Sequence, residues 1–188
     1  MDSDAIAETQ RVVLRPWRLD EAERFFDLHR RLEVARWIGG RPMVEPAEAS
    51  AMLERMVRRQ AAEPRFGSWA VVERATGGLA GTVLLKPLPD GTGEIEIGWH
   101  FHPDSWGRGL ATKAGGTLLR YGFDLGLTEI WAVTHVDNAR SVRVCEKLGL
   151  RCLGITHRWY HELSLMFWAG ARSDQQPSLL ADRAAPSG

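Results

Sequence analysis

Cysteine is scarce: Cys145 and Cys152 are the only two in 188 residues. That is too few for a disulfide framework, and neither sits in the paired Cys or His spacing of a zinc site, so reduced thiols and no metal are expected. Long apolar runs are missing too. No stretch reaches the roughly 18 residues of a membrane span, and the opening Met1-Asp2-Ser3-Asp4 is acidic where a secretory leader is basic. A cytoplasmic protein with no membrane partner is the expectation. Net charge is also absent, with Lys plus Arg and Asp plus Glu both at 24, so no overall field draws the chain to nucleic acid. Two phosphate signatures are lacking as well. There is no Gly-x-x-x-x-Gly-Lys-Ser/Thr, and Gly107-Arg108-Gly109 is not followed by the third glycine of a dinucleotide fingerprint, which removes support for ATP and NAD.

What is present is the balance of a soluble globular domain, 44% apolar and 26% charged, at a length that one core commonly serves. Val12 to Trp17 reads as a strand, and Leu19-Asp20-Glu21 opens a helix with Ala22, Phe25, Phe26 and Leu28 on its apolar face. A second helix from about Ala47 follows Pro42 and Pro46 and carries Met52, Met56 and Val57 at helical spacing. The period then changes. Gly67 to Glu73 and Leu79 to Lys86 read as strands joined by Ala75-Thr76-Gly77-Gly78. In Glu94 to Phe101, Ile95, Ile97, Trp99 and Phe101 alternate with polar or small residues as in a half-buried strand.

Leu110, Ala114, Leu118, Tyr121 and Leu125 mark the stripe of a long helix. Ile130 to His135 is a further strand, Asn138 to Leu148 a helix ended by Gly149, and Arg151 to Thr156 and Glu162 to Trp168 two closing strands. The strand, helix, strand unit from Glu94 to His135 should be parallel and right-handed. The whole is a mixed α/β domain of residues 9–170, with a short N-terminal extension over 1–8 and a polar, flexible tail over 171–188.

The segment that carries chemistry is Trp106-x-x-Gly109-x-Ala111, between a strand and a helix. Small residues there leave backbone N–H groups uncovered at a helix N-terminus, where free donors and the macrodipole favour a pyrophosphate. The alternative is a tight turn that simply needs glycine.

This segment resembles the acetyl-coenzyme A loop of the GNAT acetyltransferase family, Gln/Arg-x-x-Gly-x-Gly/Ala, with Trp106 in the first position. Asn138-Ala139-Arg140-Ser141 and Glu146-Lys147-Leu148-Gly149-Leu150 resemble that family's "Asn-x-x-Ser, then Glu-Lys-x-Gly-Phe", with Leu150 for Phe. Thr9 to Pro16 with Asp20-Glu21-Ala22 is similar to the opening of the RimJ/RimL-type branch, the ribosomal-protein N-terminal acetyltransferases. The resemblance spans about residues 9 to 168. It implies a mixed central sheet of about six to seven strands flanked by about four helices, with two parallel strands splayed apart as the acetyl-CoA cleft.

By the same resemblance, backbone groups near Trp99 and Phe101 hold the pantetheine amides, and the amides of Arg108, Gly109, Leu110, Ala111 and Thr112 hold the pyrophosphate. Arg108's side chain either aids the phosphate or is solvated surface. Asn138 either contacts pantetheine or orders the loop beside it, or caps the next helix, and the two roles can hold together. Glu96 is nominated as the base, with Glu94 or solvent as substitutes; its other reading is a strand-edge carboxylate paired to a cation. Ser141 is the candidate acid toward the sulfur, or a capping residue, because Cys145 stands where many members have Tyr.

Cys145 lacks an oriented His and is not expected to form an acyl-enzyme. His100, His102, His135, His157 and His161 form no helical H-x-x-x-H pair, so no metal is expected. Trp37, Trp159 and Tyr160 flank the acceptor pocket in the family, with core packing as the other role.

The expected activity is transfer of acetyl from acetyl-CoA to a primary amine. A protein N-terminal α-amine is the first choice, because it needs about 2.5 pKa units less help than lysine. A small-molecule amine such as an antibiotic or polyamine is the alternative, and a non-catalytic acyl-CoA-binding module a second. Monomer and homodimer are both compatible with the resemblance.

Overall fold

The computed structural model describes residues 4–160, 162–172 and 177; most of the proposed tail, and His161, lie outside them. One mixed sheet of eight strands runs through these residues in the order β1-β2-β3-β4-β5-β6-β8-β7. The strands are β1 (Ala7–Glu8), β2 (Val12–Pro16), β3 (Gly67–Glu73), β4 (Leu79–Pro87), β5 (Ile95–Phe101), β6 (Glu129–His135), β7 (Arg151–Thr156) and β8 (Ser164–Gly170). The helices are α1 (Ala22–His29), α2 (Leu32–Ala35), α3 (Pro46–Ala62), α4 (Leu110–Asp124) and α5 (Ala139–Lys147), with 3-10 turns at Leu19–Glu21 and Pro103–Ser105.

Eight strands exceed the six to seven expected because β1, inside the stretch read as an extension, adds a strand by pairing Ala7 with Leu14 and Glu8 with Val13. Two residues offer no alternation to read. The four-residue α2 escaped for the same reason, being barely one turn.

Alternation along the strands sorts the helices onto two faces. Trp69 and Val71 of β3 and Ile97 and Phe101 of β5 pack with Leu110, Ala114 and Leu118 of α4 and Cys145 of α5. Ala70, on the other side of β3, packs with Trp17, with Phe25 of α1, and with Ala49 and Leu53 of α3. A third cluster joins Leu88, Trp131, Trp159 and Trp168 where β6 and β8 meet the loop after β7. α3 begins where the sequence permits: Pro46 fills the first turn, where no intrahelical acceptor exists, and Glu48 accepts from the Glu45 amide at 3.0 Å.

The sheet is antiparallel everywhere except between β5 and β6. The α4 crossover makes that pair parallel, as read from the sequence. β5 pairs with β4 along its whole length and β6 likewise with β8. Between β5 and β6, however, the register holds one pair among the described residues, Glu96 with Trp131. Beyond it, among the described residues, no register pair joins Trp99 to Phe101 with Val133 to His135.

Candidate active site

The loop leading into α4 follows the C-terminal end of β5. Gly107 and Gly109 adopt φ of +73° and +74°, a left-handed conformation that costs a side-chain-bearing residue about 1–2 kcal/mol. A Cβ on Gly107 would meet nothing within 4 Å, so the loop is open on that side. The helical ladder begins with Lys113 N–H to the Gly109 carbonyl at 3.0 Å. The amides of Leu110, Ala111 and Thr112 precede it and have no intrahelical acceptor. No acid occupies this first turn, so nothing there opposes an anion.

The loop is braced from outside. Arg11 donates to the Arg108 carbonyl at 2.8 Å, and the Arg108 guanidinium pairs with Glu73. Trp106 donates its indole N–H to the Phe101 carbonyl at 2.8 Å, and Arg140 lies over its ring at 4.1 Å. Trp106 thereby ties the end of β5 to the loop and to α5. Uncovered main-chain donors at a helix start, with no acid beside them, are a setting that favours an anion.

Asn138 caps α5 by accepting from the Ser141 amide at 3.2 Å. Ser141 lies half-buried in the first turn. Cys145 is fully buried in the core, and burial pushes its thiol up to about 12. A thiol so protonated is no nucleophile.

The face of β5 opposite α4 carries Glu94 just before the strand, then Glu96, Gly98 and His100. Glu94 is committed: the Thr92 amide donates to Oε2 at 2.6 Å and Arg158 to Oε1 at 3.0 Å. Glu96 is 6% exposed. The Tyr160 hydroxyl donates to its Oε2 at 2.5 Å, and Lys86 Nζ stands 3.7 Å from the same oxygen. Among the described residues no hydrogen bond reaches Oε1. Burial pushes the Glu96 carboxyl up, and the Tyr160 hydroxyl and Lys86 charge draw it only part of the way back. The Tyr160 phenol is in turn pushed up by burial and by the neighbouring carboxylate.

Further along this face, His29 Nδ1 lies 2.8 Å from the Phe25 carbonyl, which can only accept, so that nitrogen carries the hydrogen. His29 Nε2 lies 3.2 Å from His100 Nε2. Burial holds both rings below the ordinary histidine range, His100 well below it with the help of His29 and Lys86. Neutral rings leave the His100 Nε2–H as the donor. His102 meets Asp27 at 2.9 Å, clamping α1 to the start of the loop before α4. Arg31 and Arg30 join His102 in hydrogen bonding that carboxyl and, against the upward pull of burial, hold it at about 2.

Of the aromatic residues expected near the acceptor, Trp37 does reach this face, its ring 5.6 Å from that of His135 at the end of β6. Tyr160 reaches Glu96. Trp159 does not line a pocket: it is 1% exposed and packs against Trp131 at 5.7 Å. Its large ring joins the apolar cluster of Leu88, Trp131 and Trp168. No group of three or more His, Cys, Asp or Glu side chains able to hold a metal occurs among the described residues, and no helix there is long and apolar enough to cross a membrane.

The sequence reading missed Lys86 and Arg158. Cross-strand pairing of Lys86 with Glu96 follows from the β4–β5 register, which depends on the turn at residues 88–94 and could have been counted out. Arg158 arrives by a loop and left no such signal.

The acetyltransferase (GNAT) domain model matches residues 11–151. The chain belongs to the GNAT acetyltransferase family, and it is an N-acetyltransferase. It is 30% identical over 158 residues to the uncharacterized N-acetyltransferase YoaA of Bacillus subtilis, covering 84% of this chain and 89% of that one. Among solved structures, a GNAT acetyltransferase from Bacillus anthracis superposes with TM-score 0.72 at 22% identity, over 86% of this chain and 95% of that one. Mycobacterium smegmatis RimJ in complex with CoA-disulfide gives 0.70 at 20%, over 92% and 89%. Spermidine N-acetyltransferase from Vibrio cholerae, in complex with CoA and spermine, gives 0.69 at 18%, over 86% and 96%. At these identities the GNAT likeness to the solved structures is one of fold.

Proposed function

We propose that this GNAT enzyme transfers acetyl from acetyl-CoA directly to an α-amine, in the manner of the RimJ/RimL-type branch, with Glu96 as the base. The observation that carries this is the state of Glu96: a buried carboxylate with Oε2 engaged and, among the described residues, no hydrogen bond to Oε1, at the one position where β5 pairs with its parallel neighbour.

The amides of Arg108 to Thr112 would hold the diphosphate, and the unpaired edges of β5 near Trp99 and Phe101 the pantetheine arm. Bound there, acetyl-CoA supplies an activated thioester whose C–S bond breaks as the new N–C bond forms. A β5 main-chain N–H would polarise the carbonyl. Glu96 Oε1 takes the proton that the acceptor nitrogen must lose, directly or through one water, and passes it to solvent. Ser141 would donate to the departing sulfur. Burial serves this role, since a carboxylate near 4.3 is a poor match for an amine at 7.7–8.0 and a raised one is a better base.

The alternative acceptor, a small polyamine, has the fold likeness to the Vibrio cholerae spermidine enzyme in its favour. The floor of this face argues against it, because Glu94 is held by Arg158 and Glu96 already faces the Lys86 ammonium, so a second cation meets no carboxylate of its own among these. The test is thiol release from acetyl-CoA with peptides bearing free or blocked N-termini. Free α-amines should support turnover, blocked ones should not, and Glu96→Gln should lower kcat by about 100-fold or more. Undiminished turnover in Glu96→Gln, or acetylation restricted to lysine side chains, would reject the assignment.

A further inference from the structure

Lys86 is placed strangely for an enzyme whose base must meet an amine. It stands directly across from Glu96 in the β4–β5 register and on the same face. Its Nζ lies 3.7 Å from Glu96 Oε2 and 5.8 Å from the Tyr160 ring centre, and its side chain is 43% exposed. An ammonium approaching Oε1 would share one carboxylate with a fixed ammonium, and like charges a few ångströms apart near a protein surface repel strongly.

The other charges on this face offer no relief. Glu94 is held by Arg158, and Glu129 accepts the indole N–H of Trp131 at 3.3 Å and of Trp168 at 3.0 Å. At the rim, Asp137 is 3.7 Å from His135, and Arg36 lies over Trp37 at 4.4 Å. Among the described residues, each carboxylate on the strands of this face is thus already matched to a cation or an N–H donor, and none of them is left to seat a second positive charge.

We infer that Lys86 determines acceptor specificity. The site admits an amine that is uncharged at working pH and carries no second cation near the reacting nitrogen: an α-amine of low pKa, and neither a polyamine nor an N-terminus followed by lysine. This rests on the reading of Glu96 as the base. Lys86 also limits how far burial can raise Glu96, so it keeps the base ionised while it screens the substrate.

The experiment compares kcat/KM for three acceptors at pH 8: a peptide with uncharged side chains and a free N-terminus, the same peptide with Lys at its second position, and spermidine. The enzymes are the full-length wild type, Lys86→Arg, Lys86→Gln and Lys86→Glu. Wild type and Lys86→Arg should prefer the uncharged peptide to the same degree. Lys86→Gln should raise relative use of the cationic acceptors on the order of tenfold, and Lys86→Glu further. Spermidine binding followed by calorimetry reads the same preference without turnover: heat should be absent in wild type and present in Lys86→Glu.

An acceptor ratio unchanged across the four enzymes, or equal spermidine binding in wild type and Lys86→Glu, overturns the inference. Glu96→Gln run beside them separates the two claims. Full activity there rejects the base, whereas an inactive Glu96→Gln with unchanged acceptor ratios in the Lys86 variants rejects only the selector.

Discussion

Replacing Tyr160 by Phe removes one hydroxyl and little else, and its effect can be worked through. The Tyr160 O–H donates to Glu96 Oε2 at 2.5 Å, so it favours the ionised carboxylate. Hydrogen bonds to charged groups contribute about 1.5–3 kcal/mol, which is about one to two pKa units. Tyr160 is 37% exposed, so water recovers part of the loss and the lower end, about one unit, is expected. The sign follows directly: with the donor gone, the Glu96 carboxyl rises further, the base is protonated at a higher pH, and activity is lost on the acid side. The measurement is kcat at saturating acceptor from about pH 5.5 to 9, by thiol release. Tyr160→Phe should show its acid limb displaced upward by about one unit and recover toward wild type at high pH. The acceptor's own ionisation is common to both proteins and cancels in the comparison. A uniform drop at every pH, with the limb in place, would mean that Tyr160 merely packs and that its bond to Glu96 has no part in catalysis.

Gly109→Ala places a Cβ at φ +74° where the nearest outside atom is Arg11 Nη1 at 3.8 Å; it fits in space but strains the backbone by about 1–2 kcal/mol. Coenzyme A affinity measured by calorimetry should fall by more than the small drop in Tm would imply. Cys145→Ala should retain activity, and alkylation near pH 8 followed by mass spectrometry should label exposed Cys152 and spare Cys145, whose thiol burial pushes up to about 12. Glu96→Gln should lose activity yet match or exceed the wild-type Tm at pH 8. Burial raises the folded carboxyl above its unfolded value, so its stabilising contribution is full at low pH and is lost as pH rises through the folded value. The amide carries no such loss, and a markedly lower Tm would count against this.

The sheet and its long helices were legible because their periods are long enough to read: Ile97, Phe101 and the stripe from Leu110 to Leu118 reappear in the core, with Ile95 and Trp99 partly buried against it. β1 and α2 were not, since two and four residues carry no period. The turn into α4 could be read because Gly107 and Gly109 mark it, and both adopt the left-handed conformation that glycine favours. Around Glu96 the sequence is silent about partners. Lys86 becomes visible only once the β4–β5 register is fixed, and Arg158 and Tyr160 reach Glu94 and Glu96 across 64 positions of chain. Trp159 and Tyr160 are neighbours in sequence and differ in fate: both lie in the turn after β7, which carries no period to read, and Trp159 packs with Trp131 while Tyr160 reaches Glu96.

Titration of the 15N-labelled protein with coenzyme A, followed amide by amide, bears most directly on where the coenzyme sits. The amides of Arg108 to Thr112 and of Trp99 to Phe101 should show the largest shifts, and those of β1 and α3 should stay still. Saturable binding that leaves the loop and the split edge of β5 unmoved, or no binding at all, would contradict a cleft between β5 and β6.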